Sequence, residues 1–594
     1  MRSQPLIFVT LAATLVGSIT FAQPGRGGSQ WLTALADAQR TSWIRTDDKI
    51  SVESMAKPGF ELQWKTKLDN QPRGLHGLAQ GVTASGVTLF VPMSLVAGSS
   101  NNIYAIDNDI GYVVWQRRFD AAVPAATAAC PGGITSAATR IVRLDAPPAA
   151  AAPAAAGRRG AVGYRSLLGE PGEGVPVEGR AGGPQRGGDP SGVAPPAAAR
   201  GAAPGAGAAR GAAPGAAAPG GRGGQAAERI PGSPRTEEAG GSFGSLFRPS
   251  GVGYVVSSDG MLHVLGLPSG KDMQRPAPFL PANSKWSAPV AVGTTLYAAT
   301  SGNCGGAPNA VWAIDLDSEA KPVVSWKTNG GAVVGAVAFT SDGTLIAAIG
   351  AGQAAGDGKA NAIVALDPKT LQLKDWFTQP TATFVTGPTI LRHKDKEIVA
   401  AATIDGRIVV LDAASLGGAN HATPLHVSKP VLAPGGTVSG DALAAWQQPS
   451  AGTSWILLPA RGRLSAGSAA ANGPVSAGAV VALKVLDAGG ALSLEQGWVS
   501  HDLSSPATPV IVNGVVFTLA TGLPSAGAGR GTAAVLHAYD GATGKRLWTS
   551  GKAMTTSASP GSMWSGLGQI YVGMQDGTLH AFGFNDERRP TNGQ

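Results

Sequence analysis

The chain has 594 residues, of which only 14% are charged, and it contains 85 Gly, 43 Pro and a net charge of +8. That length calls for either several domains or one repeat architecture. The positive charge is scattered rather than gathered with stacking aromatic residues, which argues against a nucleic-acid-binding surface.

The N-terminus, residues 1–22, has the composition of an export signal. Arg2 supplies the positive charge, an apolar run covers residues 6–16, and Thr20 and Ala22 place small residues at the two cleavage positions. A membrane anchor is the alternative, but the run falls short of the roughly 20 apolar residues that cross a bilayer, and no later stretch approaches that length. We therefore expect a periplasmic or secreted protein without a transmembrane segment.

A lead-in segment, residues 23–61, precedes a region from 62 to 584 in which one pattern recurs. An apolar strand ends in Ala-x-Asp, a turn follows, and the next strand ends in Trp. The strands of this type are residues 103–107, 311–315 and 363–367, and weaker copies are residues 408–412 and 480–484. The Trp residues that follow are Trp115, Trp326, Trp376, Trp498 and Trp548. The Asp side chain caps the turn, and the Trp is expected to pack between neighbouring sheets as core.

The copy at residues 509–548 is the clearest. Asn513-Gly514 joins two apolar strands with the residues that a type I′ hairpin requires. Four short strands in about fifty residues describe one blade of a β-propeller. We count eight four-stranded antiparallel blades, and seven if blades five and six are divided differently. The last blade lacks a fourth strand, and residues 62–65 supply one, so pairing of the two ends closes the ring.

An insertion at residues 146–241 consists mostly of Ala, Gly, Pro and Arg. It contains almost no large apolar side chains that would offset the entropy of ordering it, so it is expected to be disordered. It lies in blade two, between a first strand at residues 134–141 and a second at 252–256. Residues 585–594 are expected to form a flexible tail.

The repeat resembles that of the pyrroloquinoline quinone (PQQ) dehydrogenases. The resemblance rests on residues 538–548 and 571–582, and the opening around Trp31, residues 37–41 and Trp64 is similar to the lead-in of quinoprotein alcohol dehydrogenases. The same repeat occurs in cofactor-free scaffolds such as the lipoprotein of the outer-membrane barrel-assembly machinery. The resemblance therefore implies a fold, with either binding or oxidation as the function.

For an active family member, the resemblance implies two adjacent cysteines beside the quinone and a Ca²⁺ ion held by Glu, Asn and Asp. This sequence has no Cys-Cys pair, and we match no Glu-Asn-Asp set to that motif. PQQ and Ca²⁺ are expected only if the chain is a divergent dehydrogenase. No catalytic residue, metal ligand, attached c-type haem or zinc site is predicted.

Cys130 and Cys304 are the two cysteines of the chain. The connections between second and third strands, and between blades, emerge on one face of a propeller, so both residues are expected on the same rim, in neighbouring blades. A disulfide between them is the leading interpretation in an oxidising compartment. Two buried thiols, or a metal or redox role, are the alternatives.

Polar and aromatic residues predicted on this rim could line a central pocket. They are Arg73, His76, Trp286, Asn303, Asn309 and Asp441. Arg73 and His76 form the best pair, because the neighbouring Gly74 and Gly77 let a ligand approach the backbone. For each residue singly, the alternative is a solvated loop position or a turn partner.

Three functions are compatible with these residues. The first is a monomeric, non-catalytic binding or scaffold propeller of the cell envelope, whose partner is a protein or a small ligand. The second is a divergent PQQ-dependent alcohol or sugar dehydrogenase. The third is a hydrolase or lyase, which would require a nucleophile–base pair or paired carboxylates that the sequence does not display.

Overall fold

The structure is a computed structural model that describes residues 30–585, apart from 75, 86–90, 128, 135, 145–250, 380–382, 469–471 and 524–530. The predicted export signal, the insertion and all of the tail except Asn585 lie outside the described residues. Within these ranges the chain forms eight sheets and almost no helix, which confirms the eight-bladed propeller.

The first four blades follow in chain order. Blade one contains Val82–Ala84, Met93–Gly98, Asn102–Asp107 and Val113–Arg118. Blade two contains Val252–Val256, Met261–Gly266 and Ala277–Pro278. Blade three contains Lys285–Trp286, Val290–Val292, Thr295–Ser301, Ala310–Asp315 and Val323–Lys327, with Ile141–Val142 added at its inner edge. Blade four contains Val333–Phe339, Leu345–Ile349, Ala362–Leu366 and Leu373–Thr378.

The last four blades complete the ring. Blade five contains Thr389–His393, Lys396–Ala402, Ile408–Asp412 and His426–Val427. Blade six contains Thr437–Val438, Ala444–Gln447, Ser454–Arg461, Gly478–Ala488 and Ala491–Val499. Blade seven contains Trp43–Ile44, Val510–Val512, Val515–Ala520, Val535–Asp540 and Arg546–Thr549. Blade eight contains Phe60–Lys67, Ala558–Gly566, Gln569–Met574 and Thr578–Phe584. The short helices are Val52–Met55, Cys304–Gly306 and Gly418–Asn420, and among the described residues no helix is long and apolar enough to cross a membrane.

The ring closes as the sequence predicts. Strand Phe60–Lys67 pairs antiparallel with Thr578–Phe584, and Trp64 lies opposite Ala581. The N-terminal strand thereby becomes the fourth strand of blade eight. Its pairing covers the edge that the C-terminal strand would otherwise leave open.

The Asp of the repeat caps the turn after the third strand. The Oδ1 atoms of Asp107, Asp367 and Asp540 each accept a hydrogen bond from the backbone N–H two residues later. This local bond replaces a backbone pairing that the tight turn cannot make. It explains why an Asp ends the third strand in most copies.

The repeated Trp packs between blades. The indole Nε1 of Trp64 donates to the carbonyl of Asn108 at 2.9 Å, and that of Trp115 donates to Leu267 at 2.6 Å. Trp498 does the same to Gly541 at 2.8 Å. Each acceptor belongs to the next blade, so one side chain supplies both apolar area and a satisfied hydrogen bond to the blade interface.

The first strand of blade two departs from the prediction. Residues 134–141 form no continuous strand with the second strand; Thr139 makes a single bridge to Tyr254. Strand Ile141–Val142 pairs parallel with Ala291–Val292 of blade three instead. Arg140, the residue before Ile141, bonds to the lead-in segment instead, because its backbone N–H donates to the carbonyl of Leu32.

The lead-in segment runs past the inner strands of all eight blades. Backbone N–H groups of the blades donate to its carbonyls, in the order Thr83 to Trp31, Arg140 to Leu32, Phe339 to Ala38, Ile390 to Gln39, Ala445 to Thr41 and Ile511 to Ser42. In blade three the carbonyl of Pro289 accepts from Thr33, and in blade eight the N–H of Gly568 donates to Asp47. The segment thus connects every blade on the side of the ring where the first strands end.

Arg40 fixes the lead-in segment. Its guanidinium is fully buried and donates to the carbonyls of Ala34, Ala288 and Val337 and to the hydroxyl of Thr33. Burial lowers the pKa of Arg40 to about 10, which leaves it charged at neutral pH. The surrounding carbonyl dipoles and the negative charge of Asp37 offset the cost of burying this charge.

Candidate functional site

Arg73 and His76 form a tight hairpin on the predicted rim. The N–H of Arg73 donates to the carbonyl of His76 at 2.7 Å, and the N–H of His76 donates back at 3.1 Å. Gly74 has a φ of +63° in this turn, a left-handed conformation that favours glycine. The side chain of Gln575, from blade eight, donates to the carbonyl of Gly74 at 2.8 Å.

The Arg73 guanidinium is engaged with the connection between blades one and two. Its Nε donates to the carbonyl of Pro131 at 2.8 Å, and a terminal nitrogen donates to Pro124. The following Gly133 has a φ of +71° and lies so close to blade one that a Cβ would stand 1.9 Å from the carbonyl oxygen of Ser99. Arg73 therefore anchors a loop, and a direct contact with a ligand stays a prediction.

The predicted disulfide joins this loop to blade three. Cys130 and Cys304 are bonded, with their Cα atoms 5.4 Å apart and 174 residues between them. Cys304 begins the short 3₁₀ turn Cys304–Gly306 and is 2% exposed. The disulfide and Arg73 hold neighbouring residues of the same connection, Cys130 and Pro131, which fixes the rim between blades one and three.

His76 lies within the electrostatic reach of two charges from distant blades. Burial lowers the pKa of His76, the positive charge of Lys285 lowers it further, and the negative charge of Asp441 opposes both. These residues come from blade one, the start of blade three and the start of blade six. The charge of Asp441, another of the predicted residues, thus acts on His76, as does the charge of Lys285.

Lys285 was missed by the sequence analysis. It directly precedes Trp286, which was selected, and both lie in the strand Lys285–Trp286. Because successive side chains of a strand point to opposite faces, the burial of Trp286 at 3% exposure directs Lys285 the other way. The signal that could have identified Lys285 was this alternation.

The other predicted rim residues serve the local turns. The side-chain oxygen of Asn309 accepts from the N–H of Gly302 at 3.0 Å. Asn303 is exposed and has a left-handed backbone with a φ of +54°. Neither observation tests ligand binding, so that role stays a prediction for Asn303 and Asn309.

Blade two contains a Ser-His-Asp chain that the sequence analysis did not identify. Nε2 of His263 lies 3.0 Å from Oγ of Ser257, and Nδ1 lies 3.0 Å from Oδ1 of Asp272. The geometry matches that of a serine nucleophile with its base and orienting acid. Arg117 of blade one donates to the same Asp272 at 2.5 Å.

This chain does not present a nucleophile. The Ser257 hydroxyl is 1% exposed and donates to Asp259 in the turn between the second and third strands. Thr403 donates to Asp405 in the equivalent turn of blade five, and Thr340 donates to Asp342 in the turn between the first and second strands of blade four. The hydroxyl is therefore a repeated structural feature, and a substrate would have no access to it.

The site residues do not fit the quinone and calcium of the dehydrogenases. Both cysteines of the chain are committed to a bond across 174 residues, so the ring of two adjacent cysteines cannot form. Within the described ranges, no three His, Cys, Asp or Glu side chains converge as metal ligands. A hard divalent cation needs several such oxygen donors at one point.

The comparisons with solved structures concern the whole ring. A quinohemoprotein alcohol dehydrogenase from Comamonas testosteroni matches 95% of this chain and 82% of its own, with a TM-score of 0.52 and 14% identity. A europium-containing methanol dehydrogenase matches 94% of this chain and 98% of its own, with a TM-score of 0.51 and 12% identity.

The chain has the fold of the PQQ-type propellers. A quinohemoprotein alcohol dehydrogenase from Pseudomonas putida HK5 gives a similar result, covering 96% of this chain and 82% of its own at a TM-score of 0.50 and 11% identity. No protein-family model and no curated protein matches the sequence. At these identities the likeness describes the arrangement of the blades and leaves the chemistry open.

Proposed function

We propose that this chain is a non-catalytic binding propeller of the cell envelope, which recognises a protein or small ligand with the rim that carries the disulfide. The observation that carries the proposal is the Cys130–Cys304 bond. It uses both cysteines of the chain to join two loops, whereas the family resemblance implies two adjacent cysteines beside the quinone in an active dehydrogenase. The disulfide rigidifies the rim, and a preorganised surface loses less conformational entropy when it binds a partner.

The charges on this rim support recognition of a polar ligand. Lys285 and Asp441 both act on His76, and burial keeps the pKa of that imidazole below its ordinary value. A neutral imidazole at pH 7 offers one hydrogen-bond donor and one acceptor between a cation and an anion. A ligand with both polar and charged groups would be complementary to this set.

The decisive experiment adds PQQ and Ca²⁺ to the purified protein. We expect neither tight binding by calorimetry nor a change in the absorbance of the quinone. Dye-linked oxidation of alcohols and sugars by the reconstituted protein should equal that of a heat-denatured sample. Tight quinone binding would overturn the proposal and favour a divergent quinoprotein dehydrogenase, the candidate to which the overall fold points.

Recognition by the rim is tested separately. We expect a partner or ligand captured by the wild-type protein to be lost from the double variant His76→Ala/Asp441→Ala. The exposed pair Lys369→Ala/Lys545→Ala, on the turns of the opposite face, serves as the control and should bind normally. Equal binding by both variants would place recognition elsewhere.

Location in the envelope rests on the N-terminal composition and is compatible with the disulfide, because such bonds persist in oxidising compartments. Fractionation of cells expressing the full chain, with N-terminal sequencing of the product, tests it. We expect a periplasmic or secreted product that begins near Gln23. An intact N-terminus in the cytoplasm would contradict this part of the proposal.

A further inference from the structure

Three of the repeated Trp side chains do not pack against a glycine as the others do: Trp326, Trp376 and Trp548, the last of which packs edge-on against Phe60. In blades eight, one and six, the indole packs against a glycine of the next blade that has a positive φ. The glycines are Gly111 against Trp64, Gly270 against Trp115 and Gly544 against Trp498, and a Cβ on any of them would lie 2.4–2.7 Å from the indole. Only a glycine admits the ring at that distance.

Leu371 occupies the corresponding position in blade four. Its N–H donates to the carbonyl of Asp367, as that of Gly111 does to Asp107 and that of Gly544 to Asp540. It also has a left-handed backbone with a φ of +56°, which is unfavourable for a leucine. A side chain therefore fills the space that the indole takes in the other blades.

Trp326 is the repeated Trp of blade three, and its neighbour at this position is a leucine instead of a glycine. Leu371 is 1% exposed and belongs to the apolar cluster against which Trp326 packs. Trp326 itself remains half-buried, and its Nε1 has no hydrogen bond to any described residue. Its indole donor is therefore not used within the described residues, in contrast to those of Trp64 and Trp498.

Trp376, from blade four, is also held outside the usual contact. Its ring stacks on the imidazole of His421, with ring centres 3.8 Å apart and a 17° angle between planes. The ammonium of Lys359 lies 4.8 Å from its ring centre. Nδ1 of His421 lies 2.9 Å from the carboxylate of Asp375, which sets the orientation of the stack.

The two indoles line one groove between the outer strands of blades three and four. The groove has a volume of 620 Å³, within the roughly 300–1,000 Å³ typical of small-molecule sites. Polar side chains surround the rings: Ser325, Lys327, Asn329, Asp357 and Lys359. Most of them are exposed, so the groove is open to solvent along the edge of the ring.

We propose that this groove binds a saccharide, with a pyranose ring stacked on Trp326. A sugar ring has an apolar face of C–H groups and an equatorial belt of hydroxyls, which matches an aromatic face bordered by an amide, a carboxylate and ammonium groups. Asp357 opposes the charge of the two lysines, which disfavours a phosphate-rich ligand such as a nucleotide. The site is separate from the rim and does not depend on the function proposed for it.

The test is a glycan array probed with the purified full chain, followed by calorimetry with neutral cello-oligosaccharides and acidic oligogalacturonates. We expect binding to at least one glycan, weakened at least tenfold by Trp326→Ala. Asn329→Gly removes a polar group while keeping the left-handed backbone at that position (φ +46°), and it should weaken binding several-fold. The two arms of the calorimetry distinguish a neutral from an acidic sugar.

The matched control is Trp115→Ala, which removes the equivalent Trp of blade one, where Gly270 provides the usual contact. This variant should bind the glycan as the wild type does. Circular dichroism of each variant establishes that it is folded. Absence of Trp326-dependent binding across the array, or binding of ATP in its place, would overturn the proposal, whatever the quinone experiment shows.

Discussion

The guanidinium Nε of Arg40 donates to the carbonyl of Val337 at 2.8 Å, across 297 residues of chain. Three more bonds, to Thr33, Ala34 and Ala288, surround the same fully buried group. The lead-in segment is therefore fastened to blades three and four through one side chain. Its contribution to stability can be measured directly.

Arg40→Met should destabilise the protein strongly, because it leaves several buried acceptors without a donor. Each such acceptor costs about 1–3 kcal/mol, so a total loss of about 3 kcal/mol or more is expected. Urea denaturation followed by Trp fluorescence measures it. Arg45→Ala is the control: this residue is exposed, with its guanidinium 5.1 Å from the ring centre of Trp43, and the loss should stay below about 1 kcal/mol. Equal losses would contradict the role given to Arg40.

Replacing both cysteines by Ser should lower the stability of the ring without unfolding it. A disulfide that closes a long loop contributes about 2–4 kcal/mol, chiefly by restricting the unfolded chain. Thermal unfolding of the double variant, beside the wild type with and without reductant, provides the measurement. Titration of the untreated wild type under denaturing conditions should find no free thiol; two free thiols would contradict the assignment.

Gly544→Ala tests the contact between Trp and glycine at the blade interface. A Cβ there would stand 2.7 Å from the Trp498 ring, on a backbone with a φ of +72°. The expected loss is about 2–4 kcal/mol, which combines overpacking with the left-handed backbone. Gly293→Ala isolates the second effect, since its φ is +60° and nothing lies within 4 Å. It should cost about 1 kcal/mol, and a loss as large as that of Gly544→Ala would contradict the packing argument.

Acid should destabilise the protein through two histidines in the central strands of blades seven and eight. Burial lowers the pKa of His537 and of His580 to about 4, from 6.5 in the unfolded chain. The unfolded state therefore binds more protons between pH 6.5 and pH 4, and stability falls as the pH falls through this window. Each histidine should contribute a loss of about 1–3 kcal/mol. His580→Phe should flatten the dependence of the unfolding temperature on pH between 4 and 6.5; an unchanged slope would contradict the assignment.

The ring itself was predictable because its determinants are local. The Asp of each turn bonds to backbone atoms two and three residues away, and Asn513-Gly514 specifies its own hairpin. The pairing of Trp64 with Ala581 is distant in sequence, but it followed from counting strands. Because every blade repeats the same four strands, the unpaired strand at each end could be identified, and their pairing followed.

The lead-in contacts were not predictable, for the opposite reason. The bonds made by Arg40 and Ser42 join residues 297 and 467 positions apart, and the repeated sequence pattern contains no signal for them. Leu35, Ala36 and Arg40 adopt positive φ values although none is a glycine, so the turn signals were absent. Such conformations persist only where the surrounding blades enforce them.

The candidate sites divide in the same way. Strand counting predicted one rim for His76 and Asp441, and their role in a site stays a prediction, whereas Lys285 required knowing which face of its strand is buried. Trp326 and Trp376 were assigned to the core because they match the repeat. The exception arises from Leu371, a residue outside the pattern whose effect depends on the neighbouring blade.

The pairing of residues 60–67 with 578–584 has a consequence for how the molecule is made. Residues 60–67 are synthesised long before their partner strand, so the ring cannot close until residues 578–584 have left the ribosome. Until then one sheet edge stays unsatisfied at each end, which gives chaperones a target and leaves a truncated product open to proteolysis.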